Sequence, residues 1–103
     1  MKNIMDLQRM LKQAKEMQQK MQEEMASLRV EGSSGGGMVN VTLDGQKNPI
    51  ALRLNPEVVD RQDVEMLQDL IVAAFRDAAA KVDRELAERL GGLGAGLKIP
   101  GLF

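Results

Sequence analysis

The chain has 103 residues, with 14 Lys+Arg against 15 Asp+Glu for a formal charge of -1, and it lacks Cys, His, Trp and Tyr. Without Cys or His there is no common zinc site, no Ser–His or Cys–His nucleophile pair and no disulfide. With Phe75 and Phe103 as the only aromatics, no aromatic platform can stack bases. Carboxylates, Lys, Arg and hydroxyls remain, in no convergent pattern. The chain therefore reads as one non-catalytic domain, residues 1–103, without cofactor or metal.

Apolar residues make up 44% of the sequence, enough for an aliphatic core. No run of about 18 apolar residues could span a membrane. The start, Met1-Lys2-Asn3-Ile4-Met5-Asp6, has no signal-peptide apolar region. The expectation is a soluble cytoplasmic protein.

Residues 3–29 read as one long helix. Gly and Pro are absent there, and Gln, Lys, Glu, Met and Leu favour helix. Ile4, Leu7, Leu11, Ala14, Gln18, Met21, Met25 and Leu28 occupy the a and d positions of a heptad, and all but Gln18 are apolar. Arg29-Val30-Glu31 leaves the helix as a short strand, and Gly32 to Gly37 reads as a flexible hairpin connection. Met38–Leu43 alternates, with Val39, Val41 and Leu43 on one face, and Ile50–Leu54 alternates again beyond an Asp44-Gly45 turn. Asn55-Pro56 opens a short helical turn. Asp63 caps a second long helix over about 63–90, whose inner face is Leu67, Leu70, Ile71, Ala74, Phe75, Ala78, Val82, Leu86 and Leu90. Gly91-Gly92 ends it, and residues 91–103 form a flexible tail.

The fold class is thus α+β, in the order α-β-β-β-α, with a three-stranded antiparallel meander over about 29–54. A 27-residue helix is about 40 Å long, whereas a compact chain of 100 residues has a radius of gyration of only about 13 Å. Such helices overhang their sheet, and an apolar stripe in water needs a partner. The expectation is a homodimer.

The glycine stretch is not a phosphate loop, because Met38 and Val39 follow Gly37 where Lys and Ser or Thr would be needed. The acids Glu57, Asp60, Asp63, Glu65 and Asp69 spread over a helix start, where they complement the helix dipole rather than converge on a metal. One charge feature stands out. Residues 1–22 hold Lys2, Arg9, Lys12, Lys15 and Lys20 against Asp6 and Glu16, a net +3, while the remainder carries -4. All five basic residues lie off the apolar seam, and Asn3, Gln8, Gln13 and Gln19 add neutral donors. This face suits phosphate contact, although the overall pI of about 5.4 lacks the usual basic footprint.

Lys12-Gln13-Ala14, Met17-Gln18 and Met21-Gln22-Glu23-Glu24 resemble the first-helix signature of the YbaB/EbfC family of bacterial nucleoid-associated proteins. Gly32, Gly35-Gly36-Gly37, Val39, Val41 and Gly45 are similar to its strand pattern. Asn55-Pro56, Met66-Leu67-Gln68-Asp69-Leu70, Ala73-Ala74-Phe75-Arg76-Asp77-Ala78 and the ending Lys98-Ile99-Pro100-Gly101-Leu102-Phe103 resemble the rest. Two positions depart from the pattern: Arg76 stands where asparagine is usual, and Pro49 falls at the start of the third strand. The resemblance implies a tweezer-like homodimer with projecting helices that binds DNA on the nucleoid in the cytoplasm, with roles in nucleoid organisation or regulation. Phosphate contacts are expected from Lys2, Arg9, Lys12, Lys15 and Lys20, with Arg84 and Arg89 as secondary candidates. The rival reading is a protein-interaction module for replication or recombination proteins. It would use the Met-rich helix or the apolar tail residues Leu93, Leu97, Ile99, Leu102 and Phe103.

Overall fold

A computed structural model describes the backbone of residues 2–94 and the side chains of residues 3–89. The element order is helix α1 (Lys2–Ser27), strands β1 (Val30–Ser34), β2 (Val39–Leu43) and β3 (Pro49–Leu54), and helix α2 (Val64–Gly94). The strands form one antiparallel sheet in the order β1-β2-β3. The α-β-β-β-α reading holds, with four shifts of boundary.

The first helix stops at Ser27, not residue 29, because its terminal carbonyls find other partners. Gly45 N–H donates to Met25 O at 2.9 Å. The Arg29 guanidinium donates to Ala26 O at 2.8 Å and Leu28 O at 2.9 Å. Gly32-Ser33-Ser34, read as flexible, belongs to β1; only Gly35–Gly37 make the connection, as a tight 3-10 turn. Pro49 begins β3 at a register shift beside Thr42 and Leu43, a place where a missing N–H does little harm. Gly91-Gly92 do not stop α2, which runs on to Gly94; a helical glycine costs only about 1 kcal/mol relative to alanine. The expected tail beyond residue 94 lies outside the described residues.

Two caps are where the sequence puts them. Asn55 Oδ1 accepts from Glu57 N–H at 3.0 Å and opens the 3-10 turn Pro56–Val58. Asp63 Oδ1 accepts from Met66 N–H at 3.1 Å and opens α2.

The core lies between α2 and the first two strands. Val39, Val41 and Leu43 of β2 face Ala74, Ala78 and Val82 of α2, all buried, with Leu67, Leu70, Ile71, Phe75 and Leu86 partly buried around them. The Leu90 side chain lies outside the described ones. Small residues at i, i+4 and i+8 bring α2 onto the sheet, and Gly32 permits that approach: a Cβ there would stand 2.6 Å from both Ala74 O and Ala78 Cα. Ser34 Oγ donates to Leu70 O, and Ser33 N–H donates to Asp77 Oδ2 at 2.9 Å.

The helix α1 takes no part in this core. Every residue from Asn3 to Glu24 is exposed, Met25 is half-buried, and Leu28 is the first to enter the body. The molecule is accordingly 74 × 24 × 18 Å with a radius of gyration of 19.8 Å, well above the compact value of about 13 Å.

Candidate nucleic-acid interface

With 26 residues, α1 is an arm about 39 Å long. At about 100° per residue, Leu7, Met10, Ala14, Met17, Met21 and Met25 fall along one side. Arg9, Lys12, Lys15 and Lys20 fall along the other, with Glu16 among them. Ile4, Leu11 and Gln18 flank the apolar side, and Met5 sits with the basic residues. Lys2 begins the helix. Apolar seam and positive face are therefore back to back on one exposed rod.

None of the four ion pairs among the described residues involves Arg9, Lys12, Lys15 or Lys20. Four cations against the single acid Glu16 give this face a net positive field toward an outside anion. Their geometry suits phosphates spaced along a duplex, which fix position without reading sequence.

The secondary candidates lie elsewhere. Arg84 lines a shallow cleft at the root of α1 with Leu28, Arg29, Glu31, Lys81 and Glu88. Acids and bases alternate there, so the cleft carries no strong field. Arg89 pairs with Glu85 at 3.4 Å one turn earlier. Eight residues, about 12 Å of helix, separate Leu28 from Lys20. Within one chain, Arg84 and Arg89 do not join the basic face of the arm. Arg76 is exposed on α2, and nothing in the structure explains its departure from the family pattern.

The acidic run serves the backbone. Asp60 Oδ1 accepts from Gln62 N–H at 2.9 Å and Asp63 caps α2. No group of three or more potential metal ligands occurs among the described residues. None of the described helices is long and apolar enough to cross a membrane.

One part of the machinery was not visible in the sequence beyond an Asp-Gly turn signal. The buried Asp44 carboxylate accepts from Gln46 N–H (2.8 Å), Asn48 N–H (2.9 Å) and Asn48 Nδ2 (3.0 Å). The Asn48 N–H chiefly holds its carboxyl below the usual carboxylate range, against the opposing effect of burial. This turn carries Gly45, which holds the end of α1, and Lys47, which pairs with Asp83 of α2 at 2.8 Å.

Comparison with known proteins agrees with this architecture. A crystal structure of an uncharacterised protein from Helicobacter pylori superposes with a TM-score of 0.69 over 87% of this chain and 94% of that one, at 24% identity, a likeness of fold. A nucleoid-associated protein of Caldanaerobacter subterraneus subsp. tengcongensis is 44% identical over 101 residues, covering 95% of this chain and 91% of the relative. A nucleoid-associated protein of Brucella anthropi is 46% identical over 98 residues, covering 92% of each. The model of the YbaB/EbfC DNA-binding family matches residues 1–97, the arm, the sheet and α2 together, and on that match the chain belongs to the YbaB/EbfC DNA-binding family.

Proposed function

We propose that the protein binds duplex DNA as a homodimer, chiefly through phosphate contacts from the basic face of α1, and has no catalytic activity. Lys2, Arg9, Lys12, Lys15 and Lys20 make the contacts, with Arg84 and Arg89 secondary. The observation that carries this reading is the back-to-back arrangement on an arm standing clear of the body. A seam can meet a second chain while the cations face outward. Two arms in a dimer double the local charge, which offsets the near-neutral whole chain. A nucleoid-associated role in the cytoplasm, in organising DNA or regulating genes, follows from this binding mode and from the names of the relatives.

Two surfaces support the dimer. Along α1, Ile4 and Leu7 are each 56% exposed, Leu11 60% and Met17 70%. On the sheet, Leu52 pairs with Val41 and Leu54 with Val39, so they share the face that α2 covers elsewhere. The helix lies over β1 and β2, leaving Ile50 and Leu52 nearly half exposed. Apolar surface of this extent is costly in water.

The test is Arg9→Glu with Lys12→Glu, titrated against several unrelated duplexes at several salt concentrations. Binding weakens about equally on all of them, and the salt slope falls by roughly one unit for each phosphate left without its cation. Sedimentation and helix content stay unchanged, since both positions are off the seam. Unchanged affinity in a dimeric variant moves the DNA surface to the Arg84 region. Weakening on one duplex alone means that these residues read bases. The rival, a docking module for replication or recombination proteins on the Met-rich helix, requires a seam that stays exposed in the assembled protein.

A further inference from the structure

We propose that Gly45, in the β2–β3 turn, is a positioning residue for DNA binding: it sets the angle at which α1 leaves the body, and so where the basic face meets phosphate. This rests on the reading of α1 as the DNA surface.

Among the described residues, the arm meets the body at its last turn. There Gly45 N–H donates to Met25 O at 2.9 Å, and Leu28 is buried. A Cβ on Gly45 would stand 2.9 Å from both Met25 Cα and Met25 O, and 3.1 Å from Met25 Cβ. The first two are backbone atoms of the helix, which cannot swing aside as the end of a side chain can. The φ of Gly45 lies outside the left-handed region. An alanine therefore meets no backbone strain of its own, and the missing side chain answers to the approach of α1 alone.

The seat behind Gly45 is firm. Asp44 N–H donates to Asn48 O at 3.1 Å and Lys47 N–H to Asp44 O at 3.0 Å. The Asp44 carboxylate ties the turn from inside. Outside, Lys47 Nζ reaches Asp83 of α2 at 2.8 Å. The turn thus braces the arm against the body.

A long arm amplifies a small change at its root. Restoring an ordinary separation of 3.4 Å would move Met25 by about 0.5 Å. Leu28 is three residues away, about 4.5 Å along the axis, so the helix tilts by about 6°. Arg9, about 28 Å from Leu28, then moves by about 3 Å, enough to break a phosphate hydrogen bond.

The test is Gly45→Ala in the full chain. Cysteine is absent from the protein, so Gln13→Cys and Ala80→Cys, both at exposed positions, accept spin labels specifically. Labelled chain is diluted with unlabelled chain so that each assembly carries one pair. The expected result is a shift of up to about 2 Å in the mean interlabel distance. Affinity for a mixed-sequence DNA duplex falls by about tenfold, while helix content and sedimentation are unchanged. An unchanged distance overturns the proposal, as does a shifted distance with unchanged affinity. In the latter case the Arg9→Glu, Lys12→Glu variant decides what else falls. If it too is silent, the reading of α1 as the DNA surface has failed as well; if it weakens binding, that reading stands and the positioning role alone is removed. Should Gly45→Ala not fold, Asp44→Asn replaces it. Its neutral amide accepts from the Gln46 and Asn48 N–H groups more weakly than the carboxylate and loosens the seat. A broadened distance distribution with weakened binding is then expected, and an unbroadened one overturns the proposal.

Discussion

Gly36 and Gly32 are both required by the fold, for different reasons. Gly35, Gly36 and Gly37 have φ values of 61°, 67° and 92°, and nothing lies within 4 Å of the place a Gly36 Cβ would occupy. Gly36→Ala should therefore cost only the left-handed backbone penalty, about 1 kcal/mol, and Gly36→Asn less. Gly32 sits under the α2 backbone, so Gly32→Ala must lift the helix from the sheet, an overpacking cost of about 3 kcal/mol. Urea denaturation of the variants measures both. A Gly36→Ala cost equal to that of Gly32→Ala would show that the helix yields more readily than its close approach implies. The sequence marks both positions only as Gly.

At the scale of elements, α2 is strapped to the edge strand β1 by Asp77. Its carboxylate accepts from Ser33 N–H and pairs with Lys81 Nζ at 3.0 Å. Ser33 N–H first, and Lys81 second, hold the carboxyl below its ordinary value. A depressed folded-state value stabilises the fold above the unfolded value of about 3.9, and that stabilisation is lost as pH falls through the folded value. Unfolding free energies of wild type and Asp77→Asn, measured from pH 7 downward, should converge below about pH 4. A constant gap would mean that the strap does not act through ionisation. The caps at Asn55 and Asp63 were legible because a cap and its target are close in sequence. The inner face of α2 was legible because its period is local. That Gly32 belongs to a strand was not, because its reason is Ala78, which only the fold brings near. The end of α1 was misplaced for the same cause: the Met25 carbonyl is claimed by Gly45, in the β2–β3 turn. The candidate DNA face was legible as a charge imbalance, while the brace that aims it was not.

The whole molecule is an arm and a body, and the proposed homodimer rests on the exposed seam of the arm. Sedimentation at micromolar concentration should give a homodimer; a stable monomer with native helix content would remove the basis for the tweezer-like arrangement. The exposure of α1 along nearly its whole length has a further consequence. Most helical stability in proteins comes from packing an amphipathic face, which α1 lacks among the described residues, and α1 has no acidic residue in its first turn to offset the dipole. Its helicity must be lent by whatever it touches. Winding of the arm, self-association and DNA binding are then linked equilibria, each feeding the others. Dilution should unwind the arm while α2 and the sheet keep their amide protection, so circular dichroism falls while the body stays folded. Duplex DNA added at the same dilution should wind it back, its phosphates supplying the negative charge that the helix start lacks.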